Sequence, residues 1–113
     1  ADLVDVTFEL GQSLYRKLQA APDFTPLHEP QCNIVVFRYT PEALRAASPE
    51  RLGRFQLELR RRVIQSGAYY IVSTNLDGVG ALRVTIINPL TTEEDLDQLL
   101  QAIRQHGQRL LQE

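Results

Sequence analysis

The stretch from Tyr69 to Leu96 restricts the fold more than any other part of the chain. It reads as a strand, a glycine turn, a second strand and a capped helix start. The chain must therefore hold an antiparallel hairpin followed by a helix. Asp77-Gly78 is the tight corner within the turn expected over Asn75 to Gly80, a residue pair suited to positive backbone φ angles. In the second strand, Arg83 interrupts an apolar run between Leu82 and Val84. Side chains on a strand alternate between faces, so Leu82, Val84 and Ile86 share one face while Ala81, Arg83, Thr85 and Ile87 share the other. The first is an ordinary core face. The second sets a guanidinium among small and apolar neighbours, which suggests a docking face for something outside the chain.

The remaining elements follow from period and punctuation. Leu3, Val6, Leu10, Leu14 and Leu18 recur at steps of three and four, which predicts a helix from Leu3 to Ala20 ended by Pro22. Phe24 to Glu29 is a short extended segment, and its prolines allow only an edge strand. Asn33 to Tyr39 is a strand apolar on both faces at its centre. Thr40-Pro41-Glu42 and Ser48-Pro49-Glu50 each offer a capping oxygen followed by proline at the first helical position. The first predicts a short turn over Glu42 to Ala47. The second predicts a helix from Pro49 to Gln65, with Leu52, Phe55, Leu59 and Val63 as its buried stripe and Gly67 as its C-terminal cap. The hairpin strands are expected at Ala68 to Thr74 and Ala81 to Asn88, with Pro89 as a stop. Thr91 or Thr92 caps the last helix, with Glu94 or Asp95 completing a capping box. Leu96, Leu99, Leu100, Ile103 and Leu110 line its inner side. The expected fold is α+β: a three- to four-stranded, mainly antiparallel sheet with helices packed mainly on one face.

Residues 1–113 suit one domain, and the net charge of −2 argues against general binding to nucleic acid. No apolar run approaches the ~20 residues that cross a bilayer. One cysteine, Cys32, excludes an internal disulfide and a cysteine-based metal site; a cytoplasmic setting is the expectation. The chain has no methionine and opens directly into helical sequence, which reads as a piece of a longer protein.

The reactive side chains give little chemistry of their own. Lys17 is the only lysine and reads as a solvated lysine on the polar side of its helix. His28 and His106 have no partner at metal-ligand spacing, and His106 is expected to cap the carbonyl end of the last helix. Cys32 is expected to pack as a small hydrophobe. Arg60, Arg61 and Arg62 point in three directions from a helix and read as solvated surface. Arg83 has two readings of equal weight. It either pairs with an acid such as Glu29 or Asp77, or it receives an anion, for which its planar fork and permanent charge are suited.

Three stretches together resemble a known family. They are EPQCNIVVFRY (Glu29 to Tyr39), AYYIVSTNLDGVGALRVTIINPLTTEEDLDQLL (Ala68 to Leu100), and IRQHGQRL in the last helix. In this order they are similar to the C-terminal domain of group II pyridoxal-phosphate-dependent amino-acid decarboxylases. That group includes the glutamate, aromatic amino acid, cysteine sulfinate, tyrosine and 2,4-diaminobutyrate decarboxylases. The resemblance implies the small domain of an aspartate-aminotransferase-like fold, packed over an active site whose cofactor, pyridoxal 5'-phosphate, is held by a large domain of the same chain. It implies a homodimer partner and an amino-acid substrate. It also implies that these 113 residues hold no catalytic residue, no cofactor site and no metal, and are inactive alone. Arg83 matches the arginine of the family's LR dipeptide, which implies a substrate-binding role toward the α-carboxylate. The Arg83 face is then the one expected to meet the large domain, and to pair with another copy when that domain is missing. Ser73, Thr74 and Leu76 lie in the matching loop and are given no ligand role. The alternative is a stand-alone α+β module that binds a small anionic ligand or a protein partner.

Overall fold

The computed structural model describes residues 3–30, 32–65 and 71–113. The elements are α1 (Leu3–Ala20), β1 (Phe24–Pro26), β2 (Ile34–Tyr39), a 3-10 turn (Glu42–Leu44), α2 (Pro49–Gln65), β3 (Val72–Leu76), β4 (Val79–Thr85) and α3 (Glu93–Leu111). The strands form one antiparallel sheet in the order β1-β2-β4-β3. Among the described residues, no helix is long and apolar enough to cross a membrane.

The expected α+β architecture is the observed one, and alternation explains its layering. Val35, Phe37 and Tyr39 of β2 and Leu82 and Val84 of β4 join Ile86 just beyond the strand. They form one buried cluster with Leu10, Leu14 and Leu18 of α1, Leu59 and Val63 of α2, and Leu96, Leu99, Leu100 and Ile103 of α3. All three helices thus feed a single face of the sheet. The side chains between them, at Ile34, Val36 and Arg38 and at Ala81, Arg83 and Thr85, point to the opposite face. Val36 and Ala81 are buried yet stand outside that cluster.

Local chemistry sets the boundaries. Thr92 accepts from the Asp95 amide at 3.1 Å, and the Asp95 carboxylate accepts from the Thr92 amide at 2.9 Å, so the capping box closes on this pair. Ser48 caps α2 by accepting from the Arg51 amide at 3.2 Å. The hairpin corner is only Asp77 and Gly78, with φ of 55° and 79°. Asn75 and Leu76 belong to β3, and Val79 and Gly80 belong to β4. The ladder therefore runs further into the expected turn, and β4 ends at Thr85 rather than Asn88. β3 begins at Val72, and the expected strand start at Ala68 and cap at Gly67 lie outside the described residues.

Other expectations are corrected. Thr40 does not cap the 3-10 turn, whose N-cap is Pro41, because its hydroxyl is 2.6 Å from that of Thr25 on the neighbouring strand. His106 lies inside α3, which runs on to Leu111, so it caps nothing; the basic residue of the last turn is Arg109. Cys32 is exposed ahead of β2 instead of packed. Lys17 is not freely solvated, since it pairs with Glu93 at 3.3 Å and Asp97 at 3.0 Å and ties α1 to α3.

The buried face of α2 contains a side chain that the apolar stripe hides. Gln56 is fully buried. Its amide accepts from the Tyr39 N–H at 2.9 Å and donates to the Tyr39 carbonyl at 2.7 Å. Pairing between β2 and β4 is defined from Ile34–Thr85 to Phe37–Leu82. Beyond that point the strands part, and the Gln56 amide fills the place of the missing strand backbone. Gln56→Leu leaves two buried backbone groups unpaired, at about 1–3 kcal/mol each. Urea denaturation should show that loss as a lower midpoint. Gln56→Glu separates the two bonds by pH. Only the protonated acid both accepts from N–H and donates to C=O, and burial also favours it, so the folded pKa is raised. The variant's stability is then full below the unfolded value of about 4.3 and falls as pH rises through the folded pKa.

Candidate functional site

The open sheet face is built in rows. Ile34 lies opposite Thr85, and Arg83 lies between Val36 on β2 and Val72 on β3. The next row holds Ala81 with Thr74, and Arg38, two residues beyond Val36, points to the same side. No strand residue on this face is acidic.

The two arginines differ in how they are satisfied. Arg38 donates from Nε to the Gly80 carbonyl at 2.9 Å, and from Nη2 to the Leu76 and Val79 carbonyls at 3.2 Å each. Burial pulls its pKa below the ordinary arginine value, and the field of Asp77 opposes that shift. Arg83 is half-buried, and its Nε is buried with no hydrogen-bond partner. Among the described residues, the ion pairs engage Lys17, Arg61, Arg62 and Arg104; neither Glu29 nor Asp77 reaches Arg83. A buried donor without a partner costs roughly 1–3 kcal/mol, and more on a charged group, so the fold leaves this donor unsatisfied.

The other candidates have structural partners. Arg60 donates to the Ile71 carbonyl at 2.9 Å. Arg61 and Arg62 both engage Glu58, and their guanidinia hold its carboxyl down at about 2. Arg62 also reaches Glu113, joining α2 to the residues that follow α3. His28 is exposed, its Nδ1 lying 3.4 Å from the Glu29 carbonyl oxygen. Among the described residues no group of histidine, cysteine and acidic side chains could hold a metal ion. A cleft of about 690 Å³ opens on the helix side at the end of β4, lined in part by Val84, Ile86, Leu96 and Leu99. It excludes Arg83, and its one acid, Asp95, is already engaged by Thr92. Its lining offers no free charge for chemistry.

The sequence pointed to Arg83 and missed Arg38 and Gln56. Arg38 follows an apolar run like any strand-end arginine. Its partners are backbone carbonyls some forty residues away, which no spacing reveals.

Comparison with known proteins fits this layout. No model of a protein family matches the chain. An aromatic-L-amino-acid decarboxylase of Bacillus atrophaeus is 28% identical over 101 residues, covering 89% of this chain and 21% of that protein. The glutamate decarboxylase domain of a diaminobutyrate-pyruvate transaminase and L-2,4-diaminobutyrate decarboxylase from Vibrio parahaemolyticus superposes with a TM-score of 0.85 at 28% identity. That match covers 96% of this chain and 22% of that one. Oryza sativa TDC, solved with PLP and tryptamine, has a TM-score of 0.83 over 96% of this chain and 23% of its own. At 18% identity the likeness concerns the fold alone. The homologue and structural neighbours are group II pyridoxal-phosphate-dependent amino-acid decarboxylases. The chain spans about a fifth of their length.

Proposed function

We propose that this chain is the small C-terminal domain of a pyridoxal-phosphate-dependent amino-acid decarboxylase, and that Arg83 receives the α-carboxylate of the substrate. The observation that carries the reading is the buried, partnerless Nε of Arg83 on the sheet face opposite the helices. A carboxylate supplies two oxygens in the plane of a guanidinium and a charge that a neutral acceptor lacks. Val36 and Val72 flank Arg83 in the sheet, which fixes where its backbone starts. The strand is a rigid support for the fork, so the bound carboxylate is oriented as well as held. The grip must weaken as the carboxylate becomes carbon dioxide. Otherwise it would stabilise the bound substrate as much as the transition state.

The cofactor supplies the electron sink for that departure. The residues of this chain do not fit the role of its anchor. Lys17 is the only lysine. Glu93 and Asp97 hold its ammonium charged and push its pKa up, the opposite of what a Schiff-base amine needs. The reading therefore assigns cofactor binding to a large domain of the same polypeptide that covers the Arg83 face. It assigns a homodimer partner to the parent enzyme. The exposed Cys32 thiol suits a reducing, cytoplasmic setting.

The test uses the chain alone and the longer polypeptide that carries it. With added pyridoxal phosphate, the chain alone should stay colourless and release no carbon dioxide from a panel of amino acids. The longer polypeptide should bind the cofactor visibly and release carbon dioxide from at least one of them. A longer polypeptide that binds no cofactor, or that turns over no amino acid, contradicts the reading.

A further inference from the structure

Arg38 shares the open face with Arg83, yet its guanidinium is held within the fold through Nε and Nη2. It makes contacts with the carbonyls of Leu76, Val79 and Gly80, which surround the Asp77-Gly78 turn. These contacts fall where the backbone ladder between β2 and β4 has stopped. Gln56 takes over the Tyr39 side of that gap, and Arg38 takes over the Gly80 side. Gly80 lies three residues before Arg83 on the same strand, and the segment 78–80 contains two glycines, so its backbone has few intrinsic restraints.

We propose that Arg38 is a positioning residue that sets where the Arg83 guanidinium sits, by clamping the start of β4 and the hairpin turn to β2. This inference rests on the reading of Arg83 as the receiver of the substrate carboxylate. Without the clamp, β4 keeps its pairing with β3 from Val79 onward and with β2 from Leu82 onward, but its hairpin end loses the tie to β2, and the row carrying Arg83 shifts. Lysine cannot replace the clamp. It keeps the charge, but one ammonium does not reproduce a planar fork directed at three carbonyls.

The experiment compares kcat, KM and cofactor absorbance of the complete enzyme as wild type, Arg38→Lys, Arg83→Met and the double variant. Arg38→Gln replaces Arg38→Lys if the latter is insoluble. Misplacement of a positioning group is expected to lower kcat per cofactor-loaded site by about tenfold or more, with KM little changed. In the Arg83→Met background, Arg38→Lys should lower kcat no further. If Arg83→Met is crippled while Arg38→Lys keeps wild-type kcat per loaded site, the clamp is merely structural and the inference fails, though the role of Arg83 stands. Losses that multiply in the double variant also overturn the inference, because Arg38 then acts by a route independent of Arg83. If Arg83→Met has wild-type kcat/KM, the reading of Arg83 itself is wrong, and the role assigned to Arg38 falls with it.

Discussion

Arg83→Met in the complete enzyme is expected to lower kcat/KM for decarboxylation by roughly 100-fold or more, with the absorbance of bound pyridoxal phosphate unchanged. The variant separates chemistry from folding unusually well. Methionine keeps an unbranched apolar stem in the row between Val36 and Val72. It removes a buried Nε that has no partner, so the domain loses no internal hydrogen bond and its melting temperature should hold or rise slightly. Arg83→Lys should fall between the two, because it keeps the charge and gives up the bidentate fork. Steady-state assays beside thermal melts check both halves. A loss of turnover matched by a loss of folded, cofactor-loaded enzyme would return Arg83 to a structural role.

Alanine at Gly53 or Gly80 is expected to give a large loss of stability, about 3 kcal/mol or more. The helix and the strand touch through these two backbones. A Cβ on Gly53 would lie 2.8 Å from the Gly80 nitrogen, and a Cβ on Gly80 would lie 2.8 Å from the Gly53 oxygen. Neither obstacle is a side chain that could swing away, so α2 must lift from the sheet. Gln56 sits one turn along the same helix, so the lift would also weaken its hold on Tyr39. Total stability of such a domain is only about 5–15 kcal/mol, so the midpoint of denaturation should drop steeply. Gly78→Ala is the useful contrast. Nothing lies within 4 Å of its added methyl, and only its φ of 79° is strained, so it should cost about 1–2 kcal/mol. Similar midpoints for the Gly78 and Gly53 variants would show that the close approach of α2 to β4 does not matter.

These particulars show what a sequence discloses and what it withholds. Helix ends, the capping box and the Asp77-Gly78 corner depend on neighbours a few residues apart, so they were legible. The two faces of β4 were legible as well, because alternation requires nothing beyond the strand itself. Arg83 stood out because a charge within an apolar strand breaks a local rule. Gln56, Arg38 and Lys17 break no local rule. The first two answer to a place where two strands separate, and the third to two acids brought near by helix packing. Cys32 failed for a similar reason: the bend before β2 turns it outward, which its residue type does not report. The same limit applies to α2. Leu59 and Val63 of its expected stripe are buried, whereas Gly53 and Gln56 are buried in place of Leu52 and Phe55. Small and polar residues carry no hydrophobic signal, yet they mark where the helix comes closest to the sheet.

The most direct measurement compares the binding of two ligands to the complete enzyme, wild type and Arg83→Met. One is the des-amino analogue of the preferred amino acid, which keeps the carboxylate and cannot join the cofactor. The other is the amine product, which lacks it. The account predicts that the variant binds the analogue roughly 100-fold more weakly, about 3 kcal/mol, and binds the amine as the wild type does. Equal affinity of both proteins for the analogue, or the same loss for both ligands, would contradict it.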